Sequence, residues 1–335
     1  MLKAQTSSSS DKRRRKLSGM SWLGWQRAKW FYIFVSPWFL GFLAFMAIPV
    51  TVGFLMSLTN FTGGNFETLQ FVGLDNYREA FADFFSSGDA WHSLSRTLLY
   101  AAVTIPISIV LSFTVAVLLT RNIRGREWFR ILFYIPSMLP IVGSIWVWKM
   151  MMNNDYGVVN AIIYLFSPST YIRWMTEHSF IVLVMWAIWG SLGGAVILFM
   201  AGLQGVPSEL EDAARVDGAN PFQVFFRITI PLLTPVIFYQ VVVSLIGALQ
   251  ILTPPLLLAP AQQPGSGMAG ISTTPQREIY MLLVDIYQES FIRQRFGYGS
   301  ALLWILFGFI LILTLIISYT SKYWVFYEVD PEEHV

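Results

Sequence analysis

The sequence predicts an all-α polytopic membrane protein with six transmembrane helices and both termini in the cytoplasm. Three observations carry this. Of 335 residues, 55% are hydrophobic and 13% charged, against roughly 45–50% and about 25% in soluble domains. Six windows of at least 18 residues (30–66, 97–120, 131–148, 178–208, 228–276 and 296–321) contain no Asp, Glu, Lys or Arg. Each can hold the roughly 20 apolar residues that a bilayer span needs. With the N-terminus inside, 15 of the 22 basic residues fall on the cytoplasmic side and 7 outside, the bias expected of cytoplasmic flanks.

Taken in order, residues 1–29 form a basic cytoplasmic tail, with four serines at 7–10 and the run Lys12, Arg13, Arg14, Arg15, Lys16. Such a composition reads as a disordered segment at a membrane surface, where the run serves attraction to anionic lipid or orientation. The apolar stretch from Trp30 to about Leu58 exceeds the 7–15-residue core of a cleaved signal peptide, so it is a retained first span. The transmembrane domain covers 30–325, with spans at about 31–58, 97–120, 130–151, 180–203, 231–257 and 299–321, and a cytoplasmic C-terminal tail at 326–335. Gly157, Asn160, Ser167, Pro168 and Ser169 interrupt the uncharged stretch 156–172, which is expected on the outer surface. The polar tract 262–267 marks an outer turn.

The charge-free windows exclude most chemistry. Ion-coupled carriers need ionisable groups at membrane depth, although uncharged polar groups can also coordinate an ion. The three histidines, His92, His178 and His334, lie near or beyond span ends. Neither H-E-x-x-H nor G-x-x-x-x-G-K-[ST] occurs, and a serine nucleophile would lack an intramembrane base. With Cys absent, disulfides and thiolate metal sites are excluded. A net charge of +2 gives no global field for nucleic acid. No catalytic residue, metal site or cofactor is therefore expected on this chain, and energy for active transport would come from a partner.

The most informative segment is the cytoplasmic loop 206–231. Ser208 followed by Glu211 is a capping-box pattern that starts a short helix behind Pro207. Gly218 stands where a helix stop with positive φ is needed. Asn220, Pro221 and Gln223 start a second helix, with Asn as cap and Pro at the first position. In the first helix Glu209, Glu211, Asp212 and Asp217 face Arg215 alone, and Ala213, Ala214, Gly218 and Ala219 add little bulk. An acidic surface of low bulk suits docking into an arginine-lined cleft; a solvated connector on the membrane is the alternative.

This loop resembles the conserved loop of binding-protein-dependent ABC importer permeases of the maltose and glycerol-3-phosphate type, P-x-E-L-x-E-A-A-x-x-D-G-A-x-x-x-x-x-F-x-x-I-x-L-P. Pro207, Glu209, Leu210, Ala213, Ala214, Asp217, Gly218, Ala219, Phe225, Ile228, Ile230 and Pro231 fall on that pattern. Asp212 replaces the usual Glu and Ile230 the usual Leu. Further elements match F-x-G-L-x-N-Y (Phe71, Gly73, Leu74, Asn76, Tyr77), F-R…P (Phe129, Arg130, Pro136), W…G-x-x-N (Trp148, Gly157, Asn160) and G-Y-x-S-A (Gly297, Tyr298, Ser300, Ala301). The family's outer-loop G-G-G-P is replaced by Pro264, Gly265, Ser266 and Gly267.

The resemblance implies the type I ABC importer permease fold in a bacterial or archaeal plasma membrane. The cargo implied is a sugar or oligosaccharide, or alternatively glycerol-3-phosphate or another polyol derivative. Such a chain works with a second homologous permease, two ABC ATPase subunits that hold ATP and Mg, and an extracytoplasmic binding protein. Glu209, Glu211, Asp212, Ala213, Ala214, Asp217, Gly218, Ala219 and Phe225 would couple it to the ATPases, Asp212 by pairing with an ATPase arginine. Trp186 and Trp189 in the fourth span, and Tyr239, Gln240, Ser244 and Gln250 in the fifth, have the stacking and hydrogen-bonding chemistry of a sugar path. Interhelical bonding and interfacial anchoring are the other uses of such residues. Gly190 and Gly194, in G-x-x-x-G spacing, predict close helix packing. A self-contained carrier and a membrane scaffold remain the rival classes.

Overall fold

The computed structural model describes residues 22–64, 67, 69–86, 88–121, 124–259 and 275–326, with side chains from residue 25 onward. The basic run 12–16, the tract 262–267, His334 and the tail 326–335 apart from Phe326 lie outside the described residues. The chain divides into two compact units, Met1–Leu55 and Met56–Val335. The described residues are 78% helical and add one isolated antiparallel bridge between Thr59 and Phe71.

In the first unit α1 (Trp22–Phe42) runs through a π-helical turn, Leu43–Ala47, into α2 (Ile48–Ser57). Its exposed side chains are largely apolar, among them Phe34, Trp38 and Phe45, as a lipid-facing helix requires.

The second unit continues with α3 (Asp75–Phe85), α4 (Asp89–Thr120), α5 (Arg126–Met138), α6 (Ile141–Met151), α7 (Val158–Phe166) and α8 (Ser179–Gln204). A short α9 (Ser208–Val216) and α10 (Pro221–Val224) lead through a π-helical turn, Phe225–Thr229, into α11 (Ile230–Leu249). The rest is α12 (Thr253–Leu258), α13 (Leu282–Tyr287), a π-helical turn Gln288–Ile292, and α14 (Phe296–Ser321). Five helical segments are long and apolar enough to cross a membrane, and α5 with α6 makes a sixth if the bent pair is one span.

Two expectations change here and a third gains detail. The span predicted over 130–151 is broken, its two helices meeting at 101°, because Leu139 precedes Pro140 and takes extended ψ of 138°. Proline bars the preceding residue from the helical region. The span predicted over 231–257 stops at Leu249; Thr253-Pro254-Pro255 starts α12 separately, because Pro254 has no N–H to bond the Gln250 carbonyl and its ring would clash with it in a continuous helix. Segment 156–172 contains α7, with Gly157 and Ser167 at its two ends, so the breaker residues delimit a helix rather than prevent one.

Packing centres on α4. Ser93, Thr97, Ala101, Thr104, Ser108, Ser112 and Ala116 recur one per turn and are all buried, a stripe of small residues that lets neighbouring backbones approach. Helix α4 packs on α8, α11 and α13, with Phe199 and Leu183 of α8 fully enclosed. Close approach falls at Gly193, where a Cβ would lie 2.6 Å from Ser137 Oγ and 2.9 Å from the Phe133 carbonyl, and at Gly202, against Leu233 and Val236. Gly190 and Gly194, predicted to make this contact, would place a Cβ in open space: their shared face points away from α5. Lys149, inside the predicted third span, donates to the carbonyls of Leu257 (2.9 Å) and Ala259 (2.7 Å), closing the C-terminal end of α12.

Three of the motif elements outside the loop act as structural staples. Asn76 Nδ2 donates to the carbonyls of Ser57 and Thr59, both at 2.8 Å, and Tyr77 shares a 2.7 Å bond with Ser57 Oγ. A Cβ on Gly297 would collide with the same Thr59 carbonyl, so the F-x-G-L-x-N-Y and G-Y-x-S-A elements converge on one turn. Asn160 donates to the carbonyls of Asn154 and Ile172 and accepts from Trp174 Nε1.

Candidate functional site

The loop after α8 is a self-contained device. Helix α9 ends on Asp217, and Gly218 follows at φ +85°, a left-handed conformation that only glycine adopts without strain. Two bonds lock the turn: Ala219 N–H to the Ala214 carbonyl at 2.9 Å and Gly218 N–H to the Arg215 carbonyl at 3.0 Å, the pairing of a Schellman stop. Asn220 then caps α10. Its Oδ1 accepts from Gln223 N–H at 2.9 Å, while Gln223 Oε1 accepts from Asn220 N–H at 2.8 Å.

The capping box predicted at Ser208 and Glu211 does not form. Ser208 is the first helical residue, behind Pro207, and no side chain caps this end. The Glu211 carboxylate is engaged elsewhere, accepting from Thr229 Oγ1 at 3.1 Å and from Arg215 Nη2 at 3.4 Å. That choice ties α9 to the π-helical turn before α11.

Arg215 also bonds Asp212 Oδ1 at 3.0 Å. Two of the four acids thus share one arginine, and for Glu209 and Asp217, both exposed, the described residues supply no cationic partner. A Cβ on Gly218 would meet nothing within 4 Å, so this corner is open. Ala214, Asp217, Gly218, Ala219 and Arg227 line a hollow of about 330 Å³. Helices α9 and α10 also carry three exposed apolar side chains, Leu210 (47%), Phe222 (70%) and Val216 (88%). Val216 and Phe222 were not among the sequence candidates, yet apolar residues at the polar corner of a short acidic helix are the signal of a covered surface. Phe225 points the other way, 5.9 Å from the Phe113 ring of α4 and 5.2 Å from Phe226.

The path candidates divide. Trp186, Trp189 and Gln250 line a cavity of about 440 Å³ where the α5–α6 bend, α8 and the α11–α12 break face one another, with Ser144, Ser191 and Thr253 among its polar walls. Trp186 Nε1 donates to Ser144 Oγ at 3.1 Å, and Trp189 lies 5.8 Å from the Trp148 ring. Tyr239, Gln240 and Ser244 do not line it. Tyr239 is exposed, and Gln240 Nε2 donates to Ser244 Oγ at 3.1 Å along its own helix. The two proline breaks, absent from the predicted spans, are what open this cavity.

A second polar centre escaped the sequence reading. Asp285 and Glu289 are 2% and 4% exposed. Tyr280 O–H donates to Asp285 at 2.7 Å and Ser93 Oγ does so at 3.5 Å. Glu289 accepts from Arg293 and, at 3.3 Å, from Arg295, which reaches Glu79 at 2.5 Å. Burial pushes the Asp285 carboxyl up to about 6; the Tyr280 bond opposes this, and Glu289, Asp89 and Asp83 reinforce it. The spacing of Asp285, Glu289 and Arg293, four residues apart, was the available signal.

Several known proteins are similar to this chain. The "Probable ABC transporter permease protein YesP" of Bacillus subtilis (strain 168) is 34% identical over 308 residues, 90% of this chain and 93% of its own length. The "Arabinooligosaccharides transport system permease protein AraP" of the same organism is 30% identical over 291 residues, 85% and 86% of the two chains. A bacterial alginate ABC transporter, solved in complex with an alginate pentasaccharide-bound periplasmic protein, has the same fold: TM-score 0.72 at 19% identity, covering 90% of this chain and 97% of that one. Residues 108–326, which hold the loop 206–231 and the broken span, match the family described as binding-protein-dependent transport system inner membrane component, and this chain is a member of that family.

Proposed function

We propose that the chain is the transmembrane permease subunit of an ATP-driven importer for a sugar or oligosaccharide. In this reading it forms the translocation path with a second homologous permease. Two ATPase subunits, which carry the ATP and Mg, drive it through loop 206–231, and an extracytoplasmic binding protein delivers the substrate. The basic tail 1–29 and the tail 326–335 flank the transmembrane domain 30–325, with both termini cytoplasmic.

The observation that carries the reading is the α9–Gly218–α10 turn, which presents Glu209, Asp217, Val216 and Phe222 outward on a framework held by its own hydrogen bonds. A rigid, exposed turn can transmit a push to the helices behind it. A carbohydrate cargo is supported by the names of AraP and the alginate transporter and by the tryptophan-lined cavity with its amide and hydroxyls.

The test is substrate-stimulated ATP hydrolysis by the reconstituted transporter, screened over oligosaccharides. Gln250→Ala and Trp186→Ala should lower the stimulation several-fold for the cognate sugar, about the loss of one hydrogen bond or stacking contact. Gln240→Leu should leave it unchanged. Stimulation by no saccharide, or loss with Gln240→Leu alone, would defeat this assignment.

A further inference from the structure

Helices α5 and α8 run antiparallel, and between them lies an open groove of about 340 Å³, lined along its length by Tyr134, Val196, Ile197 and Met200 and at one end by Arg130 and Gln204. Its body is apolar and its polar groups sit at one end, so its chemistry is that of an amphiphile rather than a sugar.

The end group is unusual. Arg130 Nε is buried and meets no acceptor among the described residues, a state that buried donors rarely keep. Its Nη1 reaches Glu127 Oε1 at 3.2 Å, and the same carboxylate atom lies 3.5 Å from Arg126 Nε. One acid therefore serves two guanidinium groups. The net excess calls for an anion at the mouth.

We propose that this groove binds an anionic phospholipid: one acyl chain lies between α5 and α8, and the phosphate accepts hydrogen bonds from Arg130 and Gln204. Arg130 is four residues into α5, at the start of a span, where headgroup phosphates are found. A helix of the second permease is a poorer occupant, because an apolar membrane helix would leave the buried Arg130 Nε–H without an acceptor, whereas a phospholipid brings chain and anion together.

The test uses the assembled transporter, stripped of lipid in detergent and offered phosphatidylglycerol, phosphatidylcholine of the same chains, or glycerol phosphate alone, with retained molecules counted by native mass spectrometry. Wild type should hold phosphatidylglycerol in preference to phosphatidylcholine and should not hold the chainless headgroup. Arg130→Gln should weaken phosphatidylglycerol retention about tenfold, the effect of one charge-assisted bond, and Arg130→Lys should keep the preference. Ile197→Phe, which fills the groove and leaves the charge, should weaken both lipids. Equal retention by all four proteins would overturn the proposal. So would retention of the headgroup alone, or cross-linking of Ile197→Cys, unique in this cysteine-free chain, to the second permease in the lipid-loaded state.

Discussion

Replacing Gly218 isolates the backbone contribution to coupling, because the site supplies no other term. At φ +85° a non-glycine residue costs roughly 1–2 kcal/mol, and a β-branched residue lies at the upper end. An added Cβ meets nothing within 4 Å, so no clash or core defect accompanies the change and membrane insertion should be normal. If the turn relaxes to avoid the strain, it gives up the bonds from Gly218 and Ala219 to the end of α9, and α9 loses its fixed angle to α10. About 2 kcal/mol for Gly218→Val lowers the ratio of native to relaxed turn about 30-fold. Asn, which tolerates the left-handed region, should cost least and Ala an intermediate amount. ATP-dependent uptake in reconstituted vesicles should therefore fall in the order Gly, Asn, Ala, Val, to near background for Val, with equal amounts of inserted protein throughout. Normal uptake by Gly218→Val would refute the reasoning, and equal loss by Asn and Val would show that something other than backbone geometry had been removed.

The remaining expectations rest on different contacts. Asp217→Lys should reduce ATPase co-purification more than Asp212→Lys, since Asp212 already shares Arg215; equal losses would mean that Arg215 releases it on docking. Gly193→Ala should lower the thermal midpoint of the purified protein, because its Cβ meets the Phe133 carbonyl at 2.9 Å, whereas Gly194→Ala should not change it; the reverse order would misplace the α5–α8 contact. Asp285 has its carboxyl raised from 3.8 to about 6, so its ionised form is the less stable one in the folded state. Stability should rise as pH falls through 6 and level off near 4, by up to on the order of 3 kcal/mol. Asp285→Asn, which keeps an acceptor for Tyr280, should match or exceed wild type at pH 8 and lose that advantage at pH 5; a pH-independent difference between the two would contradict this.

What could be read from the sequence was what is decided locally. Gly218 and the Asn220–Gln223 cap are settled within six residues, and residue type alone states the required dihedral or acceptor. Ser208 and Glu211 satisfied the same kind of rule and failed it, because Thr229, 18 residues away, supplies Glu211 with a better placed donor. Gly190 and Gly194 failed for a related reason: spacing defines a helix face but does not say which face meets a neighbour. The breaks at Pro140 and at Pro254 were present as residues but were outweighed by the apolar composition of the windows around them. The Asp285–Glu289 centre was the least accessible. Its partners Glu79 and Arg295 are 216 residues apart, and no local pattern announces that a charged run will be buried by chain from the other end of the sequence.

On the proposed coupling role, the contacts also decide how a push at α9 would travel. A displacement is transmitted only where packing is too stiff to absorb it. From Phe222 a run of rings leads inward: Phe226 at 4.4 Å, Phe225 at 5.2 Å from that, Phe113 at 5.9 Å and Phe199 at 5.4 Å. Phe113 and Phe199 belong to α4 and α8, so the turn bears directly on two crossing helices. The Glu211–Thr229 bond joins α9 to the base of α11 by a second route. The first route passes only through rings, the Glu211 carboxylate of the second is also held by Arg215, and α10 is fixed at its start by the Asn220 cap. The compliant position is the π-helical turn Phe225–Thr229, where the regular ladder is widened by one residue. Motion of α9 would therefore turn α11 about that point as a rigid body. Its far end is the Gln250 break, where the tryptophan-lined cavity opens, so the helix that receives the push is the one that ends at the candidate sugar site.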